Sequence, residues 1–265
     1  MQESLAPRAI RRAAESAEMF PIRDTIPSRC APLATWGLIG ANVLVHLFVA
    51  MLPREAHEAV IRVFGLVPAR ALDPLWQERV GWFGAALPLF THMFLHGNLA
   101  HLIGNMWTLW IFADNVEDRM GPGRFLAFYF LSGLAAAAAQ IYFFQDSEIP
   151  MVGASGAVAG VLGAYLIMYP RAEVIALFPI FFYPLFFSVP AITYLFVWFF
   201  TQLWSATIEG LMPVTREGGI AWWAHVGGFV FGLLAHPFFR AARRCRRRRF
   251  EWDEYGIEGA WRPWR

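Results

Sequence analysis

The sequence predicts an all-α, polytopic membrane protein: a bundle of six transmembrane helices. Three observations predict it. Hydrophobic residues make up 57% of the chain and charged residues only 16%, a balance that suits lipid better than water. Charge vanishes from long runs, among them Cys30 to Pro53, Val80 to Ala113, Phe125 to Phe144 and Val174 to Ile208. A helix of ~20 apolar residues is enough to cross ~30 Å of hydrocarbon. Finally, the basic residues are all arginine and gather in the two tails, and arginine-rich segments stay on the cytoplasmic side.

Each element follows in order. Residues 1–32 read as a polar cytoplasmic tail carrying Arg8, Arg11, Arg12, Arg23 and Arg29. The transmembrane domain is 33–239, and its first span lies within Cys30 to Pro53. Residues 54–79 mix charge with apolar residues, the pattern of an interfacial loop with short amphipathic helices. The run from Val80 is too long for one crossing, and His92, His96 and Asn98 make its first part polar. The second span therefore starts near Asn98 and ends near Ala113. Gly121–Pro122–Gly123 is a turn, and the third span is Phe125 to Phe144. The fourth runs from about Ala154 to Tyr169, stopped by Pro170. Pro179, Pro184 and Pro190 break the next run, giving a buried or re-entrant connection over 174–187 and a fifth span from Val189 to Ile208. After a polar loop at 209–219, the sixth span is Ile220 to Phe239. Residues 240–265 form a basic cytoplasmic tail. Cys30 and Cys245 stand at opposite ends and do not read as a disulfide framework; both are expected to face a reducing compartment.

With both tails inside, Ser155 lies near the outer face at the start of an inward-running helix. His225 lies about one turn into another helix that also enters from outside, so their depths match. A serine becomes a nucleophile when a histidine takes its proton, and the free N–H groups of a helix N-terminus can hold an oxyanion. Gly156 and Gly160 are spaced i, i+4, as are Gly228 and Gly232, a small-xxx-small pattern that draws helices together in lipid. The competing reading is a packing seam with a bystander serine. His101 and Asn105 share one face of the second span and both can donate to an oxyanion. His92 and His96 could suit a metal, but HMFLH lacks the glutamate of HExxH. Bracing of the loop is the preferred role, and no metal or other cofactor is implied. Glu117 and Arg119 read as a solvated turn, an ion pair or a helix-end cap, none of them catalytic.

These residues resemble the rhomboid family of intramembrane serine proteases. The likeness rests on His96 with His101–Leu–Ile–Gly–Asn105, on Glu117–Asp–Arg119, on Gly153–Ala–Ser155–Gly156, and on Ala224–His225–Val–Gly227–Gly228. The resemblance implies a six-span core, with Ser155 as nucleophile and His225 as general base in a dyad. It makes His101, Asn105 and the Ser155 amide the oxyanion site. Glu117 and Arg119 become structural, tying the second span to the first loop. Two departures stand out. Ala86–Leu87–Pro88–Leu89–Phe90 replaces a Trp-Arg that some members carry, and Ala159 stands where some have a tyrosine under the histidine ring. Trp222 or Trp223 is expected to orient His225 instead.

The expected activity is endoproteolysis of transmembrane segments of other proteins near the outer face of the bilayer. The alternative is a non-catalytic, rhomboid-like chaperone that binds client helices. A transporter is disfavoured by the lack of mid-span charge and of repeated halves. The partners are transmembrane substrates and lipid; the basic tail sits against the membrane, which argues against nucleic acid. The location expected is a bacterial inner membrane.

Overall fold

The computed structural model describes residues 20–180, 183–211 and 221–241. The tail segments 1–19 and 242–265, residues 181–182 of the expected connection, residues 212–219 of the polar loop and residue 220 at the start of the expected sixth span lie outside the described residues. In chain order the elements are strand β1 (Phe20–Asp24), helices α1 (Leu33–Ala50), α2 (Arg54–Phe64), α3 (Pro68–Ala71), α4 (Pro74–Ala86) and α5 (Pro88–Thr91), and a 3₁₀ turn (His92–Phe94). Helices α6 (Leu99–Met120), α7 (Pro122–Phe143) and α8 (Ser155–Met168) follow, then strands β2 (Glu173–Ile180) and β3 (Tyr183–Pro190), and helices α9 (Ala191–Leu211) and α10 (Trp222–Phe239).

Among the described residues, three helices are long and apolar enough to cross a membrane by length and composition: Leu33–Ala50, Pro122–Phe143 and Ala191–Ile208. Helix α6 ends in Asp114, Glu117, Asp118 and Arg119, and α10 carries His225 and His236, so both are more polar. Helix α8 is apolar but has only 14 residues. At 1.5 Å per residue it is about 21 Å long, less than the ~30 Å of a hydrocarbon core.

Helix α8 is the centre of the bundle. All ten residues from Gly156 to Tyr165 are buried, packed against α10, α7 and α6. Its glycines explain how. A Cβ at Gly232 would collide with the Gly160 carbonyl oxygen, one at Gly228 with that of Gly156, and one at Gly163 with that of Phe229. Backbone therefore lies on backbone along the α8–α10 seam, where dispersion contacts are densest.

The protein is not all-α. Strands β1, β2 and β3 form one antiparallel sheet in that order. The stretch read as a re-entrant connection is a hairpin, with Val174 and Ala176 buried on one face of β2. Alternation of that kind is a strand period, and prolines at 179, 184 and 190 forbid a helix there. The other strand comes from the expected polar tail: β1 lies along α6, where Trp107 Nε1 donates to the Pro21 carbonyl (2.6 Å) and Asn115 Nδ2 to Asp24 (2.8 Å).

Glu117 fits the helix-end cap read from its position and corrects the tie that the resemblance implied. Its buried carboxylate does not tie α6 to the first loop. It accepts from the backbone N–H groups of Ala34 (3.2 Å) and Thr35 (2.9 Å) and from the Thr35 hydroxyl (2.9 Å), so it caps the amino end of α1. Arg119 contributes its carbonyl, which accepts from the Ala241 N–H (2.8 Å). Both lie at the opposite end of α6 from His101.

Candidate active site

Ser155 is the first residue of α8 and no side chain caps that helix, so its first N–H groups have no intrahelical acceptor. Gly153 sets the approach. Its φ of 129° belongs to glycine, and a Cβ there would sit 2.7 Å from His101 Cε1 and 2.9 Å from His101 Nε2. The same point is 3.6 Å from Ser155 Oγ. The missing side chain thus lets the His101 ring lie beside the backbone that leads into Ser155.

His225 sits one turn into α10, 8% exposed. Its Nε2 lies 2.8 Å from Ser155 Oγ, across 70 positions of sequence. Its Nδ1 lies 2.7 Å from the side-chain oxygen of Gln202 on α9. Trp222 meets the imidazole edge-on at 6.0 Å between centroids, and Trp198 lies at 6.1 Å. Trp223 does not contribute, since it stacks on Phe143 instead. Gln202 and Trp198 were missed by reading the sequence. The only signal for Gln202 is an amide inside a run without charge.

Asn105 lies one turn beyond His101 on α6, buried, with a side-chain nitrogen that has no hydrogen-bond partner among the described residues. The segment before α6 packs beside the same site. His92 Nδ1 is 2.8 Å from the Pro88 carbonyl, and the His92 carbonyl accepts from the Gly153 N–H (2.9 Å). His96 is 2% exposed, with neither ring nitrogen partnered, and sits edge-on to His101 at 5.2 Å. Burial pushes His92 down to about 4. His96 is pushed down to about 4 too, by burial and then by its neighbours His101 and His46. Among the described residues, no three His, Cys, Asp or Glu side chains are grouped to hold a metal ion.

The loop without Trp-Arg is held by backbone. Leu66 and Met151 exchange both of their hydrogen bonds (3.0 and 2.7 Å), Ala69 N–H donates to Ser147 (3.0 Å), and the Thr91 hydroxyl donates to the Phe64 carbonyl (2.7 Å). This bridge fixes the strand two residues before Gly153. The Ser155 hydroxyl, the His225 imidazole and the free N–H groups at the start of α8 thus meet at one helix end, an arrangement that can support acyl transfer.

The Rhomboid domain family model matches residues 84–242, more than half of the chain. The rhomboid protease GluP of Bacillus subtilis is 42% identical over 29% of this chain and 15% of its own length. The mitochondrial rhomboid protein 1 of Saccharomyces cerevisiae is 28% identical over 60% of this chain and 43% of its own. The mitochondrial presenilin-associated rhomboid-like protein of Rattus norvegicus is 26% identical over 74% of this chain and 46% of its own. The chain therefore spans about half or less of the length of these relatives.

Proposed function

The chain belongs to the rhomboid family, and from that premise we propose that it is an intramembrane serine endopeptidase working with a Ser155–His225 dyad. The observation that carries the reading is the 2.8 Å contact between Ser155 Oγ and His225 Nε2. His225 takes the hydroxyl proton as Ser155 attacks a peptide carbonyl, then gives it to the leaving amine. Water releases the acyl-enzyme by the same exchange. The oxyanion is held by the Ser155 amide at the start of α8, with His101 and Asn105 as side-chain donors. No residue in this scheme calls for a metal or a cofactor.

The membrane setting completes the proposal. The protein is an integral membrane protein, and α1, α6, α7, α8, α9 and α10 are its six spans, with both tails cytoplasmic. Because α8 is shorter than the hydrocarbon core, Ser155 begins below the outer surface, where a transmembrane substrate presents its end. An intact substrate helix hides its carbonyls in hydrogen bonds, so helix-breaking residues ease cleavage. The family includes bacterial and mitochondrial proteins, so membership implies a bilayer without saying which.

A fluorophosphonate probe on the detergent-solubilised protein tests the reading. Labelling is expected in the native chain and absent in both Ser155→Ala and His225→Ala. A native chain that resists the probe overturns it. The chaperone alternative is favoured if Ser155→Ala keeps its full effect on client turnover.

A further inference from the structure

We propose, resting on the protease reading, that Gln202 is a positioning residue that fixes the tautomer and aim of His225 from α9. A histidine acts as base toward serine only if Nε2 carries the lone pair, which requires the proton on Nδ1. The resemblance supplies no carboxylate for that task, and none contacts His225 among the described residues. The 2.7 Å contact from His225 Nδ1 to Gln202 Oε1 fills the place with a neutral acceptor.

An amide can present either its oxygen or its nitrogen, and the two ends dictate opposite tautomers. The surroundings choose. The Thr201 hydroxyl donates to the Trp198 carbonyl (2.7 Å), which uses its only proton. Thr201 Oγ1 then accepts from Gln202 Nε2 (3.2 Å), and the amide oxygen is left facing His225. The order of donation runs from Ser155 to His225 to Gln202 to Thr201 to the Trp198 backbone. Each group has one consistent role, and the chain ends on a helix carbonyl that cannot change its own. Gln202 and His225 are both only 8% exposed, so water competes poorly for either contact.

Three variants and one spectroscopic readout test this. Gln202→Met keeps the volume and removes the acceptor. Its maximal rate of fluorophosphonate labelling is expected to fall about tenfold to a hundredfold with the probe's binding constant unchanged, the signature of a misaimed base. Gln202→Glu restores an acceptor and recovers most of the rate. Thr201→Val, at an exposed position, frees the amide to turn and lowers the rate severalfold, so the inference stays testable if Gln202→Met folds poorly. In ¹⁵N-histidine NMR, the ring assigned by its loss in His225→Ala should carry its proton on Nδ1 and become a tautomer mixture in Gln202→Met. A native ring protonated on Nε2, or a Gln202→Met protein with native rate and native tautomer, overturns the proposal. If the native chain resists the probe while the tautomer still depends on Gln202, the protease reading fails and the positioning role stands.

Discussion

Leaving a buried N–H without an acceptor costs about 1–3 kcal/mol, and the side-chain nitrogen of Asn105 has no acceptor among the described residues. A stability role is a poor account of such a group, because it forms no bond to lose. A donor waiting for a charged oxygen is a better one. Asn105→Leu is therefore expected to reduce probe labelling roughly 10²–10³-fold, the usual effect of removing one oxyanion donor. Its unfolding midpoint in detergent should hold or rise, since an unsatisfied polar group has gone. A fall in both measurements would mark Asn105 as structural. The i, i+4 spacing of His101 and Asn105 made this pair readable from sequence, as did the glycines around Ser155 and His225. Gln202 was not readable in the same way. Its partner is 23 positions away on another helix, and a single amide in an apolar run has no period to betray it.

At the scale of elements, the α8–α10 seam sets how close the serine and the histidine can come. The backbones touch because Gly160 and Gly232 have no side chains. Gly232→Ala must push the helices apart, and overpacking of this kind typically costs about 1–3 kcal/mol. The expected result is a lower midpoint of unfolding together with slower labelling, because the Ser155–His225 contact lies on the same seam. Gly104→Ala is the control: nothing lies within 4 Å of the added Cβ, and its midpoint should stay near native. Equal behaviour of the two variants would remove the seam from the argument. Helix spacing made this seam legible, whereas the sheet was hidden. β1 is only five residues long, and its partner β2 begins at Glu173, far along the chain. Residues that pair across such a distance leave no local pattern, and the charge-free run that holds β2 and β3 looks like part of a span. The Leu66–Met151 bridge escaped for the same reason.

For the molecule as a whole, acid acts on stability through groups held neutral under the site. His92 and His96 are both pushed from 6.5 down to about 4, chiefly by burial. The sign follows from proton counting. Below pH 6.5 the unfolded chain binds protons at these rings and the folded chain does not, so stability falls until the pH nears 4. At 1.36 kcal/mol per unit, each ring accounts for roughly 3 kcal/mol across that window. Asp24 works the other way. Burial raises it from 3.8 to about 6 despite its bond from Tyr165, so the folded state gains stability as the pH drops through 6. Asp24 is partly exposed, which weakens its contribution, so the effect of the two rings is read as the difference from a variant that lacks them. Between pH 7 and 4.5 the native unfolding midpoint in detergent should therefore lose ground to that of a variant without the two rings. The double variant His92→Gln/His96→Gln carries no titrating ring at either place, so its stability should fall less than the native protein's across that window. If the double variant follows the native curve, the acid sensitivity arises elsewhere in the bundle, and the two histidines are braces without electrostatic consequence.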